Sequence, residues 1–256
     1  MDHALHAPAP LAVRQVRVVA PQRTLHWLRR GAADFVHQPG FSLAYGALVA
    51  GFGVVLLALA WGASYLVPAF AGGFLLVAPF LAIGLCALAQ QRDAGERVSA
   101  ARAVFAWRRN GASFALFGLM LALALILWER VAAIVFALTY GGTVPDLDRL
   151  VDDLLFSPQY LALRLAFFAC GAAFATLVFA LSVVTAPMLL DRPVDLFTAA
   201  ATSWRCCARN PGTMLLWALL VAALTTLAMA TAMLALVVVF PWLGYASWHA
   251  YRDLVA

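Results

Sequence analysis

The chemistry open to this chain of 256 residues rests on few side chains: five histidines, four cysteines and a handful of charges set among apolar residues. Imidazoles held inside a helix bundle could serve as axial haem ligands or copper ligands. His3, His6, His26 and His37, however, all precede the first long apolar run, and His249 lies at the end of the last. None stands in the middle of such a run, which argues against a catalytic haem–copper core and leaves an accessory or assembly role open. Cys86, Cys170, Cys206 and Cys207 lack the spacing of a metal site, and the first two fall within apolar runs. Cys206 and Cys207 are adjacent in an expected helix, where structural thiols are a better reading than a redox pair.

Glu129, Arg130 and Arg164 interrupt apolar sequence. Charges inside a membrane are costly and mark either function or a compensating partner. The expectation is that Glu129 pairs with Arg164 across two neighbouring helices, with a substrate-contacting cluster as the alternative. No chain of carboxylates runs through the apolar segments, which argues against a proton-coupled pump. In "DRPVD", Asp191 and Asp195 flank Arg192, and Asp195 is placed to cap a helix and favour its positive end. Thr176, Ser182, Thr185, Thr225, Thr226 and Thr231 are hydroxyls that can bond their own helix or a neighbour. There is no phosphate-cradling glycine loop, no H-E-x-x-H and no nucleophile elbow, so no catalytic, cofactor or metal residue is assigned.

The elements that must hold these residues are membrane helices. The chain is 65% hydrophobic and 11% charged, against about 45–50% and about 25% in a soluble domain. Residues 1–22 have no apolar core of signal-peptide type and read as a mobile cytoplasmic tail; residues 23–256 read as one membrane domain. Apolar runs place spans at about 41–59, 65–89, 112–130, 160–190, 213–230 and 232–251. Residues 112–140 as one helix would measure about 43 Å, so one span with an extension over 131–140 is assigned. Residues 213–251 would reach about 58 Å, which requires two spans turning near Ala230–Ala232. All seventeen basic residues are arginines, a sign of a GC-rich bacterial genome. With six spans and both termini inside, fourteen arginines lie on the cytoplasmic side and Arg130, Arg149 and Arg164 on the other. The net charge of +5 is therefore a matter of topology and not of nucleic-acid binding.

The spans repeat. "VHQPGFSLAYGAL", "RRNGASFALFGLM" and "ARNPGTMLLWALL" align on Pro39, Gly111 and Pro211, with Tyr45, Phe117 and Trp217 six positions on, each followed by Gly46, Gly118 or Ala218. The returning spans carry Pro79, Pro187 and Pro241, which remove backbone donors and are candidate hinges. The expected fold is all-α: a six-span membrane bundle of three pseudo-repeated hairpins, each preceded by an amphipathic interfacial helix. Arg29, Arg30, Arg108, Arg109 and Arg209 are candidate contacts for anionic lipid phosphates, and Trp27, Trp107 and Trp204 suit the same interface. In the first of these helices Leu25, Leu28, Ala32, Phe35 and Val36 share a face. Anchoring and topology account for such helices; recruitment of a membrane-protein partner is the sharper alternative.

The combination "WLRRGAADF…PGFSLAYG", "AWRRNGASFALFG", "LLDRPVDLFTA", "RNPGTMLLWALL" and "FPWLGYASWHAYRDLV" resembles a bacterial family of integral membrane proteins catalogued as a domain of unknown function. Some members carry a cytochrome c oxidase subunit label, so the resemblance implies that a respiratory accessory role is worth testing. Three expectations follow for this inner-membrane protein. The first is a non-catalytic scaffold, assembly or accessory factor. The second is a carrier for a lipid-like or neutral solute, favoured by a deep polar cavity between spans two, four and six and disfavoured by a packed bundle. The third is an oxidase accessory subunit. No cofactor is expected.

Overall fold

The computed structural model describes residues 15–59, 67–139 and 157–256. Helix α1 (Arg23–His37) leads into α2 (Pro39–Leu59); α3 (Val67–Leu81) continues as α4 (Ile83–Asp93). A short α5 (Ala100–Val104) and a 3-10 turn (Ala106–Asn110) precede α6 (Gly111–Thr139). Then come α7 (Leu161–Ser182), α8 (Thr185–Asp191), α9 (Leu196–Arg209), α10 (Pro211–Ala230) and α11 (Leu236–Leu254). Among the described residues the only β-pairing is an isolated antiparallel bridge between Val16 and Val255.

Among the described residues, five stretches are long and apolar enough to cross a membrane: Pro39–Leu59, Gly72–Asp93, Ala106–Leu138, Leu161–Asp191 and Pro211–Ala230. The sixth expected span corresponds to α11, which does not reach that apolarity because it carries His249, Arg252 and Asp253. Its packing explains the difference. α11 lies against α1, α2, α4 and α10, and Tyr245, Ala246, Trp248, Ala250, Tyr251 and Leu254 are all buried. A helix wrapped by its neighbours gains its stability from close packing and does not need a lipophilic surface.

Pro39, Gly111 and Pro211 each begin a long helix, as breakers that cannot continue the preceding one. Residues 111–139 form one continuous helix, as the span-plus-extension reading anticipates. The turn after α10 spans residues 231–235, with Ala232 and Met233 in the left-handed region at φ 51° and 69°. Such backbone is unfavourable without glycine. Here Thr231 offsets it: its hydroxyl donates to Ala228 O at 2.7 Å and accepts from Ala235 N at 2.9 Å.

The prolines act locally. Pro187 has no N–H for the carbonyl of Val183, and the chain breaks between α7 and α8 at Val183–Val184. Ser203 of α9 staples the break, donating to Ala180 O at 2.7 Å and accepting from Val184 N at 3.2 Å. The α3–α4 break at Ala82 is held by Tyr45, whose hydroxyl donates to Leu81 O at 2.5 Å. Pro241 sits inside α11.

Two sequence expectations need correction. Residues 15–22 are not a mobile tail, although residues 1–14 lie outside the described residues. Arg17 N donates to Leu254 O and Ala256 N to Gln15 O. Asn210 Oδ1 accepts from Val19 N at 2.7 Å, Asn210 Nδ2 donates to Arg17 O at 3.0 Å, and Thr213 Oγ1 donates to Val19 O at 2.7 Å. Trp27 is not an interfacial aromatic either. It is fully buried, packs edge-on against Trp217 at 5.5 Å and donates to Asp253 Oδ2 at 2.7 Å. The buried side of α1 is Thr24, Trp27, Leu28, Gly31 and Asp34, facing protein, while Leu25 and Val36 are exposed. Trp107 and Trp204 are exposed, as expected of interface residues.

Candidate functional site

Residues 15–17, α1, α4 and α8 gather around the C-terminal half of α11, at the arginine-rich end of the bundle. "YASWHAYRD" at that end places Tyr245, Trp248, His249, Tyr251, Arg252 and Asp253 within little more than two helical turns. All but Arg252 hydrogen-bond a different neighbour. Asp34 of α1 is buried between Arg92 Nη1, bonded to its Oδ1, and His249 Nε2 at 2.7 Å from its Oδ2. Trp248 Nε1 donates to Asp93 Oδ2 at 2.8 Å. Tyr251 donates to Asp191 Oδ2 at 2.7 Å, and Gln90 Nε2 donates to Asp191 Oδ1 at 2.9 Å. Arg23 grips Asp253 with contacts of 2.7–3.0 Å. Tyr245 and Ser42 exchange a hydrogen bond at 2.8 Å.

This is a lock more than a reaction centre. A buried carboxylate is tolerable only when hydrogen-bonded or paired; buried Asp34 is, and the half-buried Asp191 and exposed Asp93 are engaged as well. Among the described residues one buried side-chain polar atom is left over: His249 Nδ1 has no hydrogen-bond partner, with Asp93 Oδ2 at 3.9 Å. Among the described residues, no three His, Cys, Asp or Glu side chains are grouped to hold a metal ion. Cys206 and Cys207 are free thiols that burial pushes up to about 12 and about 11, so both are protonated and poor nucleophiles. Asp195 caps α9, accepting from Thr198 N at 2.9 Å and Thr198 Oγ1 at 2.6 Å. Those bonds hold its carboxyl below the ordinary value. His26, partly desolvated and close to Arg23 and Arg30, is lowered as well.

A pocket of about 260 Å³ opens beside the lock. Its walls include Gln90 and Gln91 of α4, Arg102 of α5, Arg109 of the 3-10 turn, and Trp248 and Arg252 of α11. It therefore sits where the expected spans two, four and six end.

The residues singled out by sequence are spread over several elements. Glu129 and Arg130 lie on α6 and Arg164 on α7, at the bundle's opposite end from α1. α6 and α7 are packed together there, with Trp128 against Phe167 at 5.2 Å and Phe174 at 5.7 Å. Pro79, Pro187 and Pro241 occupy three separate returning helices. Arg29 and Arg30 are exposed on α1, and Arg108 covers the rings of Phe105 and Trp107. Arg209 donates to Val16 O at 3.2 Å, while Arg109 reaches the pocket. Arg149 lies outside the described residues. Asp34, Arg92 and Asp93 are not among the sequence candidates, and the sequence names Asp191 and His249 without the partners they have here. The available signal was a carboxylate at the arginine-rich end of successive apolar runs, where charge needs a protein partner.

Helices of this length and apolarity, knotted at one end by polar side chains, are those of a membrane-embedded bundle. Residues 66–191 match the family model of DUF2189, a predicted integral membrane protein. DUF2189 is a domain of unknown function. The matched segment runs from the start of α3 to the end of α8, and so contains Arg92, Asp93 and Asp191 of the lock together with Arg102 and Arg109 of the pocket. Asp34 and the α11 residues that complete both features lie outside it. No curated protein and no solved structure matches the chain.

Proposed function

We propose that this integral membrane protein is a non-catalytic scaffold, assembly or accessory factor of the bacterial inner membrane, working through its arginine-rich face. The observation that carries this reading is the lock around α11. Its carboxylates, tryptophan indoles and tyrosine hydroxyls are bonded to one another, so they fix a shape and leave no activated nucleophile. The working topology is six spans in three hairpins with both termini cytoplasmic. The starts at Pro39, Gly111 and Pro211 and the return of α11 to pair Val255 with Val16 support it. Arg29, Arg30, Arg108, Arg109 and Arg209 meet anionic lipid on that face, setting depth and orientation.

Extraction in native membrane discs followed by native mass spectrometry tests the reading. A defined protein partner at fixed stoichiometry is the expected result. A bare chain that holds one small molecule would shift the assignment to a carrier. That second reading is favoured by the pocket at the ends of α4, α8 and α11. Its own test is flux in vesicles with substitutions at Pro79, Pro187 and Pro241.

A further inference from the structure

We propose that the pocket between α4, α5, the 3-10 turn and α11 is a binding site for a phosphate-bearing anion of headgroup size, held by Arg109 and Arg252. The argument is one of unspent donors. The pocket is lined by three carboxylates and three guanidinium groups, but the carboxylates are already engaged. Asp191 accepts from Tyr251, Gln90 and Arg192, Asp93 accepts from Trp248, and Glu96 is paired with Arg102 at 3.0 Å.

The donors are not equally engaged. Arg109 is exposed and, among the described residues, has no carboxylate or carbonyl partner. Arg252 lies over the Trp248 ring at 5.9 Å and makes only a long ion pair with Asp191, at 3.8 Å, with no hydrogen bond between them. Gln91 spends its Oε1 on Ser99 N at 2.8 Å, and the amide Nε2 has no partner among the described residues. With every carboxylate of the lining already accepting a hydrogen bond, the guanidinium donors of Arg109, and in part those of Arg252, stay open to an anion.

Charge and size narrow the class. Two guanidinium forks from different elements match the several oxygens of a phosphate better than a single carboxylate. The volume of about 260 Å³ falls just under the range of about 300–1,000 Å³ usual for small-molecule sites. That admits a phosphate with a short polyol and excludes a nucleotide. Arg109 stands two residues before the start of α6, so the mouth lies near the level where that span begins. A lipid headgroup and a free phosphate ester share this chemistry. The proposal goes beyond the scaffold reading and does not depend on it.

The full-length protein is placed in nanodiscs of phosphatidylcholine alone and equilibrated with radiolabelled inorganic phosphate and glycerol phosphate. In parallel, protein from vesicles of equal parts phosphatidylcholine and phosphatidylglycerol is examined by native mass spectrometry for retained phosphatidylglycerol. Saturable binding of at least one probe is expected, weakened about tenfold or more in Arg109→Gln and unchanged in Arg205→Gln. Arg205 is exposed on α9, away from the pocket. Arg109→Gln leaves the fold intact by thermal unfolding, since the side chain braces nothing; Arg252→Gln is the supporting variant. Binding of the soluble probes identifies a free phosphate ester, and retention of phosphatidylglycerol alone identifies a lipid headgroup. If neither probe is held, or if Arg109→Gln and Arg205→Gln behave alike, the site does not exist.

Discussion

Gly46 of α2 lies flat against the carbonyl of Val237 in α11, so closely that a Cβ on residue 46 would stand 2.0 Å from that oxygen. The contact has a chemical origin four residues on. Pro241 has no N–H to offer Val237, so the carbonyl lacks its usual helical donor. The glycine lets a neighbouring backbone close over it. Small residues permit such close helix approach in membrane proteins.

Gly46→Ala is therefore expected to separate α2 from α11 and cost about 3 kcal/mol, at the upper end of overpacking penalties. Gly118→Ala is the control. Nothing lies within 4 Å of the added Cβ, so it should be neutral or slightly stabilising, by at most about 1 kcal/mol. Unfolding midpoints in one detergent distinguish the two, and equal midpoints would remove the contact from the account.

Asp34 joins three elements through its two oxygens. Asp34→Asn keeps the shape but removes the charge between Arg92 and His249, and a loss of about 3 kcal/mol is expected. Arg92→Gln should cost less, because Arg92 reaches solvent. A double-mutant cycle should return a coupling of about 1 kcal/mol or more; simple additivity would show that the two side chains act separately.

The helix starts, the single long α6 and the turn after α10 were all legible, because span length and helix breakers are local properties. The lock was not. Asp34 and His249 stand 215 positions apart, and no periodicity reports such a pairing. Trp27 was misread for the same reason. A tryptophan just before an apolar run looks interfacial until α11 is seen to cover it and Asp253 to receive its N–H. Residues 15–22, which carry no element's signature, are held through their backbone by Arg209, Asn210, Thr213 and residues 254–256.

Asp195 gives a pH dependence of defined sign. Its carboxyl is held low by the Thr198 bonds, so the unfolded chain binds this proton more readily than the folded one. Its contribution is complete above about pH 4, the unfolded value, and is lost as pH falls through the lowered folded value. Asp195→Ala should cost about 1 kcal/mol at neutral pH. Against the parent, that difference should shrink in acid. A gap that stays constant down to pH 3 would show that the cap does not act through its charge.

Asn210 is the last test, because it couples a sequence feature to chain order. Buried at the α9–α10 junction, it accepts from Val19 N and donates to Arg17 O and Cys206 O. Asn210→Ala leaves Val19 N and Arg17 O without these bonds, at a cost of about 2 kcal/mol for the stranded groups. The segment then keeps its pairing with residues 254–256 and the bonds from Arg209 to Val16 O and from Thr213 to Val19 O. Limited trypsin treatment reads the result directly. Arg17 and Arg23 resist cleavage in the parent, since Arg17 is held through both backbone groups and Arg23 is clamped to Asp253. In Asn210→Ala, cutting after Arg17 should accelerate about tenfold or more, while Arg23 stays protected by its own ion pair. If both sites open together, the N-terminal strand and α1 form one cooperative unit and Asn210 is not its separate latch.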